Sequence, residues 1–281
     1  MEAREPLLRK PWNLTVYLFI IALALPFVVP TLWVLQASFS TNQQITINSL
    51  ALPDHPHLEN YILAWREARI GSYVFNSLII AGSTSVLAAL LATGLGYALA
   101  KLSFPGRRLV LVTVFAAIAM PVFAYIVPLS RLVRDLGLSN SRLAVILVST
   151  AVFLPVPTLL LRSFFQTLPE ELADAGRVEG ANEWQIFRYL MGPLALPGIL
   201  TALIFVFVWT WNDLLFPVIF LQSPDKFTIP YGIAALRPAD FRQDYVSVFA
   251  GSIMSTVPML LIYVLLMRQF ISGITIGSVK G

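Results

Sequence analysis

The sequence predicts an all-α, polytopic membrane bundle of six transmembrane helices, with a polar helical hairpin at 168–193 between the fourth and the fifth. Three observations carry this reading. Hydrophobic residues fill 57% of the 281 positions against 12% charged, with mean hydropathy +0.77, more apolar side chain than one soluble core of this length can hide. Six stretches, roughly 14–38, 72–100, 109–130, 143–161, 195–221 and 245–267, are long and uncharged enough to cross ~30 Å of hydrocarbon. The segment LPEELADAGRVEGANEWQIFRYLMGP, from Leu168 to Pro193, is too charged to enter a bilayer and too regularly patterned for a slack loop.

The first span follows Arg4, Arg9 and Lys10, as a signal peptide would, but its apolar run is about twice the usual length. It is therefore expected to stay as an uncleaved helix. Next comes Pro53-Asp54-His55-Pro56-His57, which holds both histidines of the chain; with no cysteine and no third or fourth ligand beside them, an extended loop is favoured over a metal site. In the second span Thr84, Ala88, Ala92, Gly96 and Ala100 recur every four residues, a small-residue ridge that lets a neighbouring helix backbone come close. Pro26 and Pro30, Pro121 and Pro128, and Pro155 and Pro157 interrupt three other spans, each removing a backbone donor.

The fifth span contains the run Trp209, Thr210, Trp211, Asn212, Asp213, and Asp213 is the one acidic residue expected inside a membrane helix. A carboxylate there costs roughly 2.5–3.5 kcal/mol on insertion scales, so it should face a cavity, a partner or an interface rather than lipid. With Trp209, Trp211 and Asn212 it forms a candidate sugar-contacting patch of aromatic faces and polar atoms. Two other readings stay open: Asp213 bonding a neighbouring helix or capping a break, and the tryptophans belonging to an interfacial belt.

Within 168–193, Thr167, Pro169 and Glu170 suggest a capped helix start, Leu172, Ala175 and Val178 share one face, and Gly180 ends the helix. Asn182 and Gln185 open a second helix, with Trp184, Phe187, Leu190 and Met191 along one side until Pro193. With both termini in the cytoplasm, 11 of the 19 Lys and Arg fall inside, the sense expected from the positive-inside bias, and the hairpin is cytoplasmic too. The organisation expected is 1–71 for the N-terminal tail, first span and external loop, 72–271 for a core of five spans that includes the 168–193 hairpin, and 272–281 for a C-terminal tail.

Several function classes lose support. A net charge of +4 spread over short flanks gives nucleic acid no basic surface. The absence of cysteine removes disulfides and thiolate chemistry. No phosphate-binding glycine loop ending in Lys-Ser or Lys-Thr, no GxSxG and no HExxH occurs. An intramembrane enzyme would need a catalytic pair where Asp213 stands alone. An ion-coupled secondary transporter would need its own ion site near midplane. A non-transporting structural membrane subunit also remains open.

The stretch EELADAGRVEGANEWQIFRYLMGPLALP resembles the coupling motif of ABC importer permeases: Glu-Ala-Ala, three residues, Gly, nine residues, Ile, one residue, Leu-Pro. Asp174, Ala175 and Gly176 stand for the first three, Gly180 for the glycine, Leu190 for the isoleucine, and Gly192-Pro193 for the final pair. The spacing agrees throughout, and the identities at Asp174, Gly176 and Gly192 depart. HPHLENYILAW, KLSFPGRR, WNDLLFP and ISGITIGSVKG extend the resemblance over most of the chain, to the smaller permease of maltose-type carbohydrate importers.

The resemblance implies a transport subunit, not an enzyme, that moves a di- or oligosaccharide by alternating access. Its partners would be a second, non-identical permease, an ABC ATPase dimer, an extracytoplasmic sugar-binding protein and the lipid bilayer. The chain itself would bind no cofactor, ATP and Mg²⁺ residing on the ATPase. Glu170, Glu171, Asp174, Ala175, Gly176, Glu179, Gly180, Trp184 and Phe187 would make the ATPase contact. Gly277, Ser278, Val279, Lys280 and Gly281 would reach toward the ATPase interface.

Overall fold

The computed structural model describes residues 11–236 and 244–278, with side chains over 14–236 and 244–264. Arg4, Arg9, Lys10, Val279, Lys280 and Gly281 lie outside the described residues. Helices dominate those that are described, and no strand occurs among them. The chain divides into two compact units, one of Met1–Ala68 with Leu236–Met254 and one of Arg69–Ala235 with Ser255–Gly281.

The first unit opens with α1 (Pro11–Ala37), which continues through Pro26 and Pro30 without a break and is exposed on every side over 14–32. An apolar helix with no protein around it is what a lipid-facing span presents. Two short helices follow, α2 (Asn42–Ile47), opened by a Thr41–Gln44 capping box, and α3 (Glu59–Arg66). Side-chain amides tie this loop together. The Asn60 amide donates to the carbonyls of Ser38 and Ser40, both at 3.0 Å, and the Asn42 side-chain oxygen accepts from the Val246 N–H at 3.1 Å. His57 does not stand free: its Nδ1 lies 2.6 Å from Glu59 Oε1.

The second unit is built around α4 (Ile70–Lys101), whose 32 residues reach about 48 Å at 1.5 Å each, well past ~30 Å of hydrocarbon. The small-residue ridge is indeed its packing face. Thr84, Ala88 and Ala92 are fully buried, and a Cβ on Gly96 would sit 2.9 Å from the Leu161 Cβ and 3.0 Å from the Arg162 backbone nitrogen. Such close backbone approach supplies dispersion where lipid offers no hydrophobic drive.

Around α4 lie α5 (Arg107–Ala119), α6 (Val122–Asp135), α7 (Arg142–Phe153) and α8 (Pro155–Thr167). Two spans are bent pairs rather than straight rods, and a third bend joins the hairpin to the fifth span. α5 and α6 meet at 103° beside Pro121, α7 and α8 at 48° beside Pro155, and the segment ending at Leu194 meets the next helix at 75°. Counting each pair once, with Leu14–Ala37, Ile70–Lys101 and Tyr245–Val264, gives up to six crossings by length and composition. Proline forces the two earlier breaks because it lacks the N–H that would continue the helix.

Between α8 and the fifth span stand α9 (Glu170–Val178), α10 (Glu183–Gln185), a π-helical turn at Ile186–Met191 and α11 (Gly192–Leu194). The fifth span itself is α12 (Leu196–Asn212), followed by α13 (Leu215–Phe220) and α14 (Ile229–Ala235). One polar clamp orders the loops here. Asn140, left-handed at φ 52°, accepts from the N–H groups of Gln222 and Ser223, while the Asn76 amide donates to the carbonyls of Asp225 and Phe227. The last helix, α15 (Tyr245–Ser278), begins in the first unit and continues through the second.

Candidate functional site

The polar hairpin is an extension of the bundle core. Ala173, Ile186, Met191 and Ala195 belong to the same buried cluster as Ala92 and Tyr97 of α4 and Phe164 and Phe165 of α8. Burying a side chain such as Ile186, 1% exposed, is worth about 1.5–3 kcal/mol. A loop held only by its ends would have no such root.

The first hairpin helix starts differently from the sequence expectation. Its N-cap is Pro169, with no side-chain cap, because the Thr167 hydroxyl donates back to the Phe164 carbonyl at 2.7 Å. The face shared by Leu172, Ala175 and Val178 is turned outward. Ala173 and Gly176 are buried, whereas Leu172, Ala175 and Val178 are exposed, Val178 at 89%. The reason is tight packing: a Cβ on Gly176 would come within 3.2 Å of Ile186. Glycine there brings α9 against the π-helical turn, and the Leu172–Ala175–Val178 stripe is left exposed among the described residues.

The turn follows expectation. Gly180 has φ +84°, the Ala181 N–H donates to the Gly176 carbonyl and the Gly180 N–H to the Arg177 carbonyl, both at 3.0 Å. This is the double bond pattern of a helix that ends on a left-handed residue. Asn182 and Gln185 then exchange capping-box bonds at 2.8 and 2.9 Å. Beyond them the helix widens, and the Gly192 N–H reaches the Phe187 carbonyl five residues back. A Cβ at 192 would lie 2.8 Å from that oxygen, so the small residue where the motif has leucine accompanies the π-helical turn. Of the expected apolar side, Met191 is buried and Trp184 is 62% exposed, its ring 5.4 Å from Phe187.

A network that sequence reading missed holds both hairpin helices. Arg177 sits at its centre, with Nη1 2.7 Å from Asp174 and 3.7 Å from Glu170, and Nε 2.8 Å from Glu183. The hydrogen bonds that Arg177 donates to Glu183 and Asp174 push the guanidinium pKa up, and the Arg177 bond holds the Glu183 carboxyl below its ordinary range. Two residues of α4 complete it. Lys101 Nζ donates to the Leu168 carbonyl and to Glu170, both at 2.8 Å, and the Tyr97 hydroxyl donates to Glu183 at 3.2 Å. The signal was a Tyr and a Lys four residues apart at the end of an apolar span, on one helix face. Glu171 and Glu179 are exposed.

The fifth-span patch is rearranged. Asp213 does not lie inside a helix: α12 ends at Asn212, and the Asp213 carboxylate accepts from the N–H groups of Leu215 and Phe216 at 2.9 and 3.4 Å. It caps the break, which answers the desolvation cost with backbone donors. Trp209 and Asn212 of α12 and Asp213 just beyond it line a groove of about 480 Å³ with Val152, Phe153, Val156 and Val208. Trp211 falls on another face, 1% exposed, its indole donating to the Ser255 carbonyl at 3.2 Å. Gly277 and Ser278 close α15.

Comparison with known proteins places this geometry. Residues 92–275, which include the hairpin, the fifth span and most of α15, match the family model described as binding-protein-dependent transport system inner membrane component. The chain is 37% identical to a diacetylchitobiose uptake system permease protein of Streptomyces coelicolor over 90% of its length and 84% of that protein. It is 34% identical to an arabinooligosaccharides transport system permease protein of Halalkalibacterium halodurans, over 96% of both chains. With a trehalose transport system permease protein of Mycobacterium tuberculosis it shares 32% identity over 90% of this chain and 92% of that one. In fold it resembles a chain of a bacterial ABC transporter involved in import of the acidic polysaccharide alginate, with TM-score 0.79, 20% identity and 92% and 96% coverage. The polar hairpin rooted in a bent-helix bundle is thus that of an inner-membrane permease, and the chain belongs to the binding-protein-dependent transport system inner membrane components of ABC importers.

Proposed function

We propose that this permease moves a di- or oligosaccharide inward across the cell membrane by alternating access, with both termini in the cytoplasm. The sugar class rests on what the relatives carry by name: diacetylchitobiose, arabinooligosaccharides and trehalose. The single observation that carries the coupling role is the hairpin, fixed to the core on one side by Ala173, Ile186 and Met191 and free on the other along Leu172, Ala175 and Val178. That free stripe, with the flanking acids Glu171 and Glu179, is the surface offered to one subunit of an ATPase dimer. ATP and Mg²⁺ belong to that dimer, which drives the pair formed with a second, non-identical permease.

An extracytoplasmic sugar-binding protein would deliver the solute, and the groove at Trp209, Asn212 and Asp213 is the stretch of this chain proposed for its passage. An aromatic face beside polar atoms suits the C–H and hydroxyl faces of a sugar. Three blocks serve the work: residues 1–71 with the first span, 72–271 as the core and 272–281 reaching toward the ATPase. Reconstitution with the ATPase and second permease tests the reading: ATP-dependent uptake of a disaccharide is expected. Uptake by this chain alone on an ion gradient would overturn it.

A further inference from the structure

Resting on that docking reading, we infer that Tyr97 and Lys101 are positioning residues which carry hairpin movement into α4, so that α4, rather than the covalently attached α8 and α12, is the driven helix. The backbone joints to the attached helices are broken rather than continuous helix. Leu168 and Pro169 are extended between α8 and α9, and a π-helical turn plus a 75° bend separate the hairpin from α12. π-Helical turns and breaks of this kind are where helices flex.

The grip of α4 is of another kind. Lys101 and Tyr97 each hold the opening carboxylate of one hairpin helix, Glu170 of α9 at 2.8 Å and Glu183 of α10 at 3.2 Å. Arg177 links those two carboxylates to each other. The Tyr97 ring also packs at 4.9 Å from Phe187 and 5.4 Å from Phe165. The Lys101 side chain is only 5% exposed, and a sheltered ammonium separated from its carboxylate pays a desolvation cost that an exposed pair does not. Hairpin and α4 therefore move together. At Gly96, five residues before Lys101, the same helix lies against the α8 backbone, so displacement of α4 is felt by the packed bundle.

The chain has no native cysteine, which permits a direct test in the assembled transporter. A spin label at Gly82→Cys on α4, where an added side chain meets nothing within 4 Å, reports α4, and a cross-link from Val178→Cys reports ATPase docking. The label is expected to change mobility between nucleotide-free and ATP-bound states. Lys101→Met, Glu183→Gln and Tyr97→Phe should each cut that change by more than half while the Val178→Cys cross-link persists, and Lys101→Arg should restore it. Glu183→Gln and Tyr97→Phe leave Lys101 in place and carry the test should Lys101→Met fail to assemble. An unaltered nucleotide response in both, with the cross-link intact, overturns the grip alone, as does a label that never responds to ATP. Loss of the cross-link in the otherwise native chain overturns the docking reading instead.

Discussion

Gly180 gives the sharpest measure of what the hairpin turn is worth. It has φ +84°, and a Cβ at this position meets nothing within 4 Å, so a substitution adds no clash and its whole cost lies in the backbone. The left-handed conformation costs an ordinary L-residue about 1–2 kcal/mol, with Asn below that range because its side chain bonds locally and β-branched residues at the top. Such a cost shifts a folded-to-unfolded ratio roughly 5–30-fold. At stake are the two 3.0 Å bonds closing the turn at Gly180 and Ala181, and behind them the Asn182 cap and the Arg177–Glu183 pair. In proteoliposomes, sugar imported per ATP hydrolysed should therefore fall in the order Gly, Asn, Ala, Val at position 180. Wild-type stoichiometry in Gly180→Val would show that the turn conformation does not matter, and the docking geometry built on it would go.

Other outcomes follow from the same contacts. Gly96→Val should lower the thermal midpoint in detergent, since overpacking against Leu161 and the Arg162 backbone costs about 1–3 kcal/mol; an unchanged midpoint would mean α4 and α8 are not held at this distance. Asp213→Ala removes the cap of α13 and should cost about 1 kcal/mol, with weakened uptake and intact assembly, Asp213→Asn losing less. A variant that fails to assemble would assign Asp213 a purely structural role. The Glu183 carboxyl is held below its ordinary pKa of 4.5 by Arg177, so its contribution is complete above that value and is lost as the pH falls through the lowered one. Melting followed from pH 6 to 3.5 should decline more steeply in the native protein than in Glu183→Gln, and parallel curves would contradict the pairing.

Where the chain's chemistry is local, its sequence was a good guide. The turn at Gly180 and the Asn182–Gln185 box depend on residues within one or two turns of each other, and both stand where spacing put them. The ridge on α4 is legible because helical periodicity alone selects its face. Thr167 was misread because its hydroxyl can bond either forward to a new helix or back to the old one, and composition does not choose. For Asp213 the readings stayed open because an apolar run reads the same whether the helix passes through it or breaks beside it, and the structure takes the capping one.

Apolar content and motif spacing by themselves determined that this is a six-span membrane chain with a capped hairpin between its fourth and fifth spans. Tertiary structure decided which side of that hairpin is free. Amphipathic pattern put Leu172, Ala175 and Val178 on one face without saying where it points, and Gly176 lets α9 come so close to Ile186 that the face of Ala173 and Gly176 is the buried one. It also decided that Lys101 and Tyr97 hold the hairpin: their partners Glu170 and Glu183 lie 69 and 86 residues away, and a pairing over that separation exists only once the helices have packed.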